Sequence, residues 1–173
     1  LREIGRRYEE GTFFVTHLVA AAEAARSAID EVLTPALSHT SASEPRVERP
    51  RVVLATVQGD IHDIGKNIVG AMLFAAGFEV IDLGKDVSTE DIIAGVTKHK
   101  PALLGLSSLL STTMPQIPKV LKALEEANLR NSIKVMVGGG AVTAQWAQDI
   151  GADGYGANAT EAVTLAKQLF GQS

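Results

Sequence analysis

The chain has 173 residues, with 16 basic against 20 acidic side chains and a net charge of −4. That length allows one good core, and no Lys/Arg block stands out to mark a nucleic-acid or anionic-membrane partner. Cysteine is absent, which excludes disulfides, thiolate metal sites and a cysteine nucleophile, and fits a reducing, cytoplasmic setting. We expect neither a signal peptide nor a membrane span, since "FFVTHLVAAAEAARSAI" is broken by His17, Glu23 and Arg26.

In chain order, the apolar positions Val15, Leu18, Val19, Ala22, Ala25, Ile29, Val32 and Leu33 recur at helical spacing. They predict a long amphipathic helix, preceded by a shorter one ending near Gly11, so that residues 1–38 form a helical segment. The chain begins at Leu1, already inside helix-like sequence, and we expect a segment to precede it. Residues 39–50, "HTSASEPRVERP", are polar, carry two prolines and lack periodicity, and read as a linker.

Over 51–173 the pattern turns into strand–helix units. Apolar, β-rich runs lie at 51–57, 78–83, 102–107, 133–137 and, weakly, 153–156. Helical patterns follow at about 64–76, 89–99, 114–127, 142–150 and 159–170. Ser88 with Asp91 marks one helix start, Gly77 closes another helix, and Pro115 opens a third. The prediction is an α/β domain with a five-stranded parallel, flavodoxin- or Rossmann-like sheet covered on both faces. Such sheets bind ligands at the carboxyl ends of their strands, which singles out loops 58–65, 84–88, 107–113, 138–141 and 157–159.

The first of these loops, "GDIHDIGKN", places Asp60, His62, Asp63 and Gly65 together. Asp60 is close enough to hold one ring nitrogen of His62 and aim the other outward, as histidine ligands are commonly oriented. A surface histidine with acidic neighbours is the plainer alternative. A zinc site needs three or four ligands; His17, His39 and His99 fall in a helix, the linker and a helix end. One imidazole suffices for a metal already held in a macrocycle.

The third loop carries Ser107, Ser108, Ser111, Thr112 and Thr113 around Leu109. Thr113 could simply cap the next helix, with Gln116 completing a capping box. The fourth loop has Gly138, Gly139 and Gly140 in succession, which lets backbone approach a ligand or merely makes a loose turn. Neither a dinucleotide fingerprint nor a phosphate-binding loop motif is present. With no Ser/His/Asp order and no second pair of carboxylates, the loops look built to hold a group rather than transform one.

Together, Asp60-x-His62-x-x-Gly65, Ser107-x-Leu109 and Gly138-Gly139 resemble the cobalamin-binding signature shared by methionine synthase, corrinoid methyl-carrier proteins and some mutases. The run "GDIHDIGKNIVGAMLFAAGFEVIDLGKDV" is most similar to the corrinoid proteins of methanol, methylamine and methoxyarene methyltransferase systems. The resemblance extends from about residue 5 to the end.

It implies cobalamin or a related cobamide, as methylcobalamin and cob(I)alamin, bound base-off with its tail buried in the sheet domain. His62 is then the axial cobalt ligand through Nε2, with Asp60 and Thr113 behind it and Gly65 leaving room for the tail. Ser107, Leu109, Val137, Gly138 and Gly139 line the slot, and Ala157, Asn158 and Ala159 close it. Ile61, Asp63, Ile64, Ser111 and Thr112 complete the implied contacts. Residues 1–38 resemble part of a helical-bundle cap, with Tyr8, Val15 and Phe14 over the upper cobalt face.

The implied function is a methyl-carrier subunit rather than a stand-alone catalyst. Its implied partners are a substrate-specific methyltransferase, a methylcobamide-dependent acceptor methyltransferase and a reductive activator, without nucleic acid or membrane. Alternatives are a cobalamin-responsive regulatory or sensor module, a mutase small domain, or a flavodoxin-like domain with an unrelated ligand.

Overall fold

The computed structural model describes residues 49–170, together with Arg7, Phe14, Thr16, His17, Ala20, Ala21, Ala24 and Ser27. Most of the expected helical segment 1–38 and linker 39–50 therefore lies outside the described residues. Five strands form the expected sheet: β1 (Arg51–Thr56), β2 (Glu79–Asp82), β3 (Leu103–Ser107), β4 (Lys134–Gly138) and β5 (Gly154–Gly156). All pair in parallel, in the order β2-β1-β3-β4-β5. Within residues 49–170 the helices are α1 (Ile64–Ala75), α2 (Thr89–His99), α3 (Gln116–Glu126), α4 (Ala144–Asp149) and α5 (Ala159–Leu169).

Alternate residues of the central strands enter two cores. Val52 and Leu54 of β1 pack with Met72 and Leu73 of α1 and Ala162 and Val163 of α5. Val53 and Ala55 pack on the other face with Ile92 and Val96 of α2 and Ile117, Val120 and Leu124 of α3. Burial on both faces is why β1 reads as an unbroken apolar run rather than an alternating one. Each fully buried Val, Leu or Ile contributes about 1.5–3 kcal/mol, so removing one such side chain from either core is costly.

Helix ends follow their local chemistry. Ser88 caps α2 by accepting from the Asp91 N–H at 3.1 Å and donating to its carboxylate at 2.7 Å. Gly77, at φ +100°, turns the chain out of α1 with the paired bonds Gly77 N–H to Phe74 and Phe78 N–H to Leu73. The chain runs from β1 out to β2 and back past β1 to β3. The strand order therefore reverses between β1 and β3, so the loops after these two strands face each other across a crevice.

The capping reading of Thr113 does not hold. Pro115 occupies the N-cap position of α3 and makes no side-chain cap bond, while the Thr113 hydroxyl turns to Asp60 instead. A short 3-10 turn, Arg130–Ser132, was not expected ahead of β4.

Candidate functional site

The loop after β1 is shaped by its own polar groups. Gly59 adopts φ +83°, and its N–H donates to Asp86 Oδ1 at 2.7 Å. The Asp60 N–H returns to the Val57 carbonyl at 3.1 Å, and the Asp86 N–H reaches the Asp60 carbonyl at 2.9 Å. Asp60 is thereby driven inward and is wholly buried.

Its carboxylate is surrounded by donors. Oδ1 accepts from the His62 N–H at 3.0 Å and meets His62 Nδ1 at 2.8 Å. Oδ2 accepts from the N–H groups of Leu109 and Leu110, at 2.7 and 3.3 Å, and from the Thr113 hydroxyl at 2.9 Å. With the Thr113 proton given to Asp60, the buried Ser108 hydroxyl, 2.8 Å away, supplies the next hydrogen. Burial pushes the carboxyl up, but the His62 backbone and ring, the Leu109 N–H and the Thr113 hydroxyl together hold it far below the usual carboxylate range. Asp60 is therefore ionised and can only accept. The ring proton of His62 sits on Nδ1, and in the neutral ring Nε2 carries the lone pair.

The imidazole is nearly half exposed, and Nε2 has no partner among the described residues. It stands at the mouth of a cavity of about 620 Å³ between the sheet, α1 and α5. Ile61, His62, Asp63, Ile64, Gly65, Ser107, Leu109, Val137, Gly138, Gly139, Ala157, Asn158 and Ala159 all line this cavity. Asp60 and Thr113 lie behind its wall, whereas Ser111 and Thr112 are exposed in the turn before α3 and off the cavity. Phe14 is described and exposed, its ring stacked on His17, and does not line the cavity. Tyr8 and Val15 lie outside the described residues.

Several lining residues escaped the sequence reading: Leu54, Lys66, Val69, Gly105, Leu106, Met136, Tyr155, Gly156 and Ala162. Most sit inside strands or helices, where sequence does not say which face opens. Ser108 was missed as part of the Asp60 network, although the serine doublet was its signal.

The glycines divide by purpose. A Cβ on Gly139, at φ +118°, would collide with the Ser108 carbonyl, and one on Gly138 would come within 3.0 Å of the Gly156 carbonyl oxygen. Those two are required by packing. A Cβ on Gly65 would meet nothing within 4 Å, so this glycine leaves open space at the cavity mouth.

Ile61, Leu109 and Leu110, in the loops that carry or face His62, and Ile64, at the start of α1, are exposed large apolar side chains. This arrangement fits a flat, largely apolar group bearing a metal that lacks one ligand, with an appended arm in the cavity. Among the described residues no cluster of three or more His, Asp or Glu side chains could hold a bare ion. No helix among them is long and apolar enough to cross a membrane.

Fold and site thus define a domain for a metal-bearing macrocyclic cofactor. The family described as "B12 binding domain" matches residues 50–164. A corrinoid protein of Desulfitobacterium hafniense (strain Y51) is 42% identical, covering 98% of this chain and 77% of that protein. Dimethylamine corrinoid protein 3 of Methanosarcina mazei is 41% identical over 98% of this chain and 99% of its own length. In the solved methanol:cobalamin methyltransferase complex of Methanosarcina barkeri, a chain 34% identical superposes with a TM-score of 0.82, covering 97% of this chain and 62% of its own. The chain belongs to the B12-binding domain family as one of its corrinoid proteins, with cobalamin or a related cobamide as its cofactor.

Proposed function

We propose that this corrinoid protein carries a methyl group from a substrate-specific methyltransferase to a second, methylcobamide-dependent methyltransferase, with His62 Nε2 as the axial cobalt ligand. Cobalamin, when bound, supplies a cobalt centre that accepts and gives up the methyl group. The observation that carries this reading is the 2.8 Å contact between Asp60 and His62 Nδ1, which leaves Nε2 free at the cavity mouth.

Each residue has a physical part. Asp60 fixes the imidazole's orientation and stabilises its positive charge whenever the ring gains a second proton. Leu109, Leu110 and Thr113 keep Asp60 ionised and immobile. Ile61, Ile64, Leu109 and Leu110 would exclude water beside the imidazole. Gly65, Ser107, Val137, Gly138, Gly139, Ala157, Asn158 and Ala159 would receive the displaced tail, with the Ser107 hydroxyl as a polar group at the slot's rim. Residues 1–38 would belong to a helical cap, with Tyr8, Phe14 and Val15 over the opposite face of the macrocycle, and residues 39–50 would link it to the sheet domain.

Relatives named for dimethylamine and trimethylamine, and the methanol complex, point to a methylated amine or methanol as the methyl source. The protein would work in the cytoplasm, beside a reductive activator that restores the cofactor after oxidation.

The test is a UV–visible spectrum of protein mixed with hydroxocobalamin and desalted, beside a His62→Ala control. The parent should retain corrinoid with a base-off, histidine-ligated spectrum, and the variant should lose that signature. Retention of the same spectrum by the variant would sink His62 as the ligand.

A further inference from the structure

The cavity has a floor whose composition the strand register sets. In one row across the sheet Leu54 pairs with Gly105 and Gly105 with Met136; in the row nearer the mouth Thr56 pairs with Ser107, Ser107 with Gly138, and Gly138 with Gly156. The outer row is small and leaves the slot open. The inner row ends it: a Cβ on Gly105 would come within 2.6 Å of Leu54 Cδ2 and 3.7 Å of Met136 Cε, so these two side chains close over the glycine. Leu54 also lies against Gly70 of α1, where a Cβ would sit 3.2 Å from Cδ1.

This floor carries no free polar group. Leu54, Gly105, Met136, Val69 and Ala162 are apolar, and the backbone of the paired rows is committed to the parallel ladder. The lysine that lines the cavity, Lys66, gives its ammonium group to Asp82 and Asn67.

We infer that the slot selects the lower base of the cobamide by the polarity of its deep edge, taking a benzimidazole over a purine. The inference rests on the reading that the displaced tail lies in this slot. A benzimidazole presents a hydrocarbon ring edge to Leu54, Gly105 and Met136. An adenine presents ring nitrogens and an amino group, which at that floor would lose their water and find no partner, the Ser107 hydroxyl lying one row nearer the mouth. Met136 is the specificity-determining side chain, because it is the one unbranched, adaptable wall of the floor.

The experiment titrates corrinoid-free full chain with cobalamin, benzimidazolylcobamide, adeninylcobamide and cobinamide, which lacks nucleotide and base, and reads dissociation constants. The two benzimidazole forms should bind more tightly than the adeninyl form by about tenfold or more. Met136→Gln, which sets an amide on the floor at similar volume, should narrow that gap, while Met136→Leu preserves it. Unchanged cobinamide affinity shows that both variants are folded. Equal binding of the adeninyl and benzimidazolyl forms, with cobinamide weaker, would overturn the selectivity and leave the tail in the slot. Cobinamide binding as tightly as all three would overturn the slot reading itself.

Discussion

Oδ1 of Asp60 and Nδ1 of His62 are 2.8 Å apart, yet the Asp60 side chain is fully buried while that of His62 is 47% exposed. The contact therefore joins a structural centre to a surface tool, and their removal should have unequal effects. Asp60→Ala strands the N–H groups of His62, Leu109 and Leu110, while the Thr113 hydroxyl keeps the Leu110 carbonyl and Ser108 as partners. We expect it to cost about 3–5 kcal/mol in urea denaturation, against about 1 kcal/mol or less for His62→Ala. Similar costs for the two would mean that the imidazole, not the carboxylate, organises the loops.

Gly65 and Gly139 should respond oppositely to a single methyl group. Gly139→Ala combines a left-handed backbone with a clash against the Ser108 carbonyl, and we expect a loss of about 3 kcal/mol or more, or no folded protein. Gly65→Ala lies in the first turn of α1 with open space around it. Its thermal stability should stay level or rise by up to about 1 kcal/mol, while corrinoid retained after desalting falls. A destabilised Gly65→Ala variant would show that this glycine serves the fold.

Lys66 and Asp82 form an asymmetric ion pair. The Lys66 side chain is 2% exposed and that of Asp82 30%, with Nζ 2.6 Å from Oδ1. Asp82→Ala leaves a buried ammonium whose remaining acceptor among the described residues is Asn67, and should cost about 3–5 kcal/mol. Lys66→Met leaves a carboxylate that reaches water and still accepts the Gly84 N–H at 2.8 Å, so about 1 kcal/mol is expected. Chemical denaturation of the two single variants, compared side by side, measures the difference.

Asp153 predicts the acid side of the stability profile. Burial raises its carboxyl pKa, but the Val135 N–H, Lys134 and Arg130 bring it below the ordinary value. A folded-state value below the unfolded one means that the unfolded chain takes up the proton first as pH falls. The stabilisation is thus complete above the unfolded carboxylate range, about pH 4, and disappears as pH drops through the folded value. Denaturation midpoints of parent and Asp153→Asn should differ at pH 7 and converge below about pH 4. A gap that stays constant with pH would remove the ionic contribution.

Strands and helices were legible because their signals are local. Val52 to Val57 reads as a doubly buried strand without any knowledge of its neighbours, and Ser88 and Gly77 act within one turn of chain. The Asp60–His62 pairing was legible for the same reason, being two residues long. Thr113 was ambiguous because both of its readings satisfy the hydroxyl, and the choice depends on Asp60, which is 53 positions away in sequence but in hydrogen-bond contact. Gly105 and Met136 were invisible as cavity residues because each looks like an ordinary strand interior. Only the register that aligns them with Leu54 turns them into a floor.

Asp60 also bears on how far this site can be taken apart. Its carbonyl holds the loop after β2 through the Asp86 N–H, its carboxylate holds the loop after β3 through Leu109 and Thr113, and its own loop presents the imidazole. The nine residues "GDIHDIGKN" are therefore not a portable cassette. Grafted onto another parallel sheet, they would bring the histidine without the donors that keep its holder charged and still. The smallest unit that could be transplanted is three loops on adjacent strands, which makes the site a property of the sheet's carboxyl end rather than of that one segment.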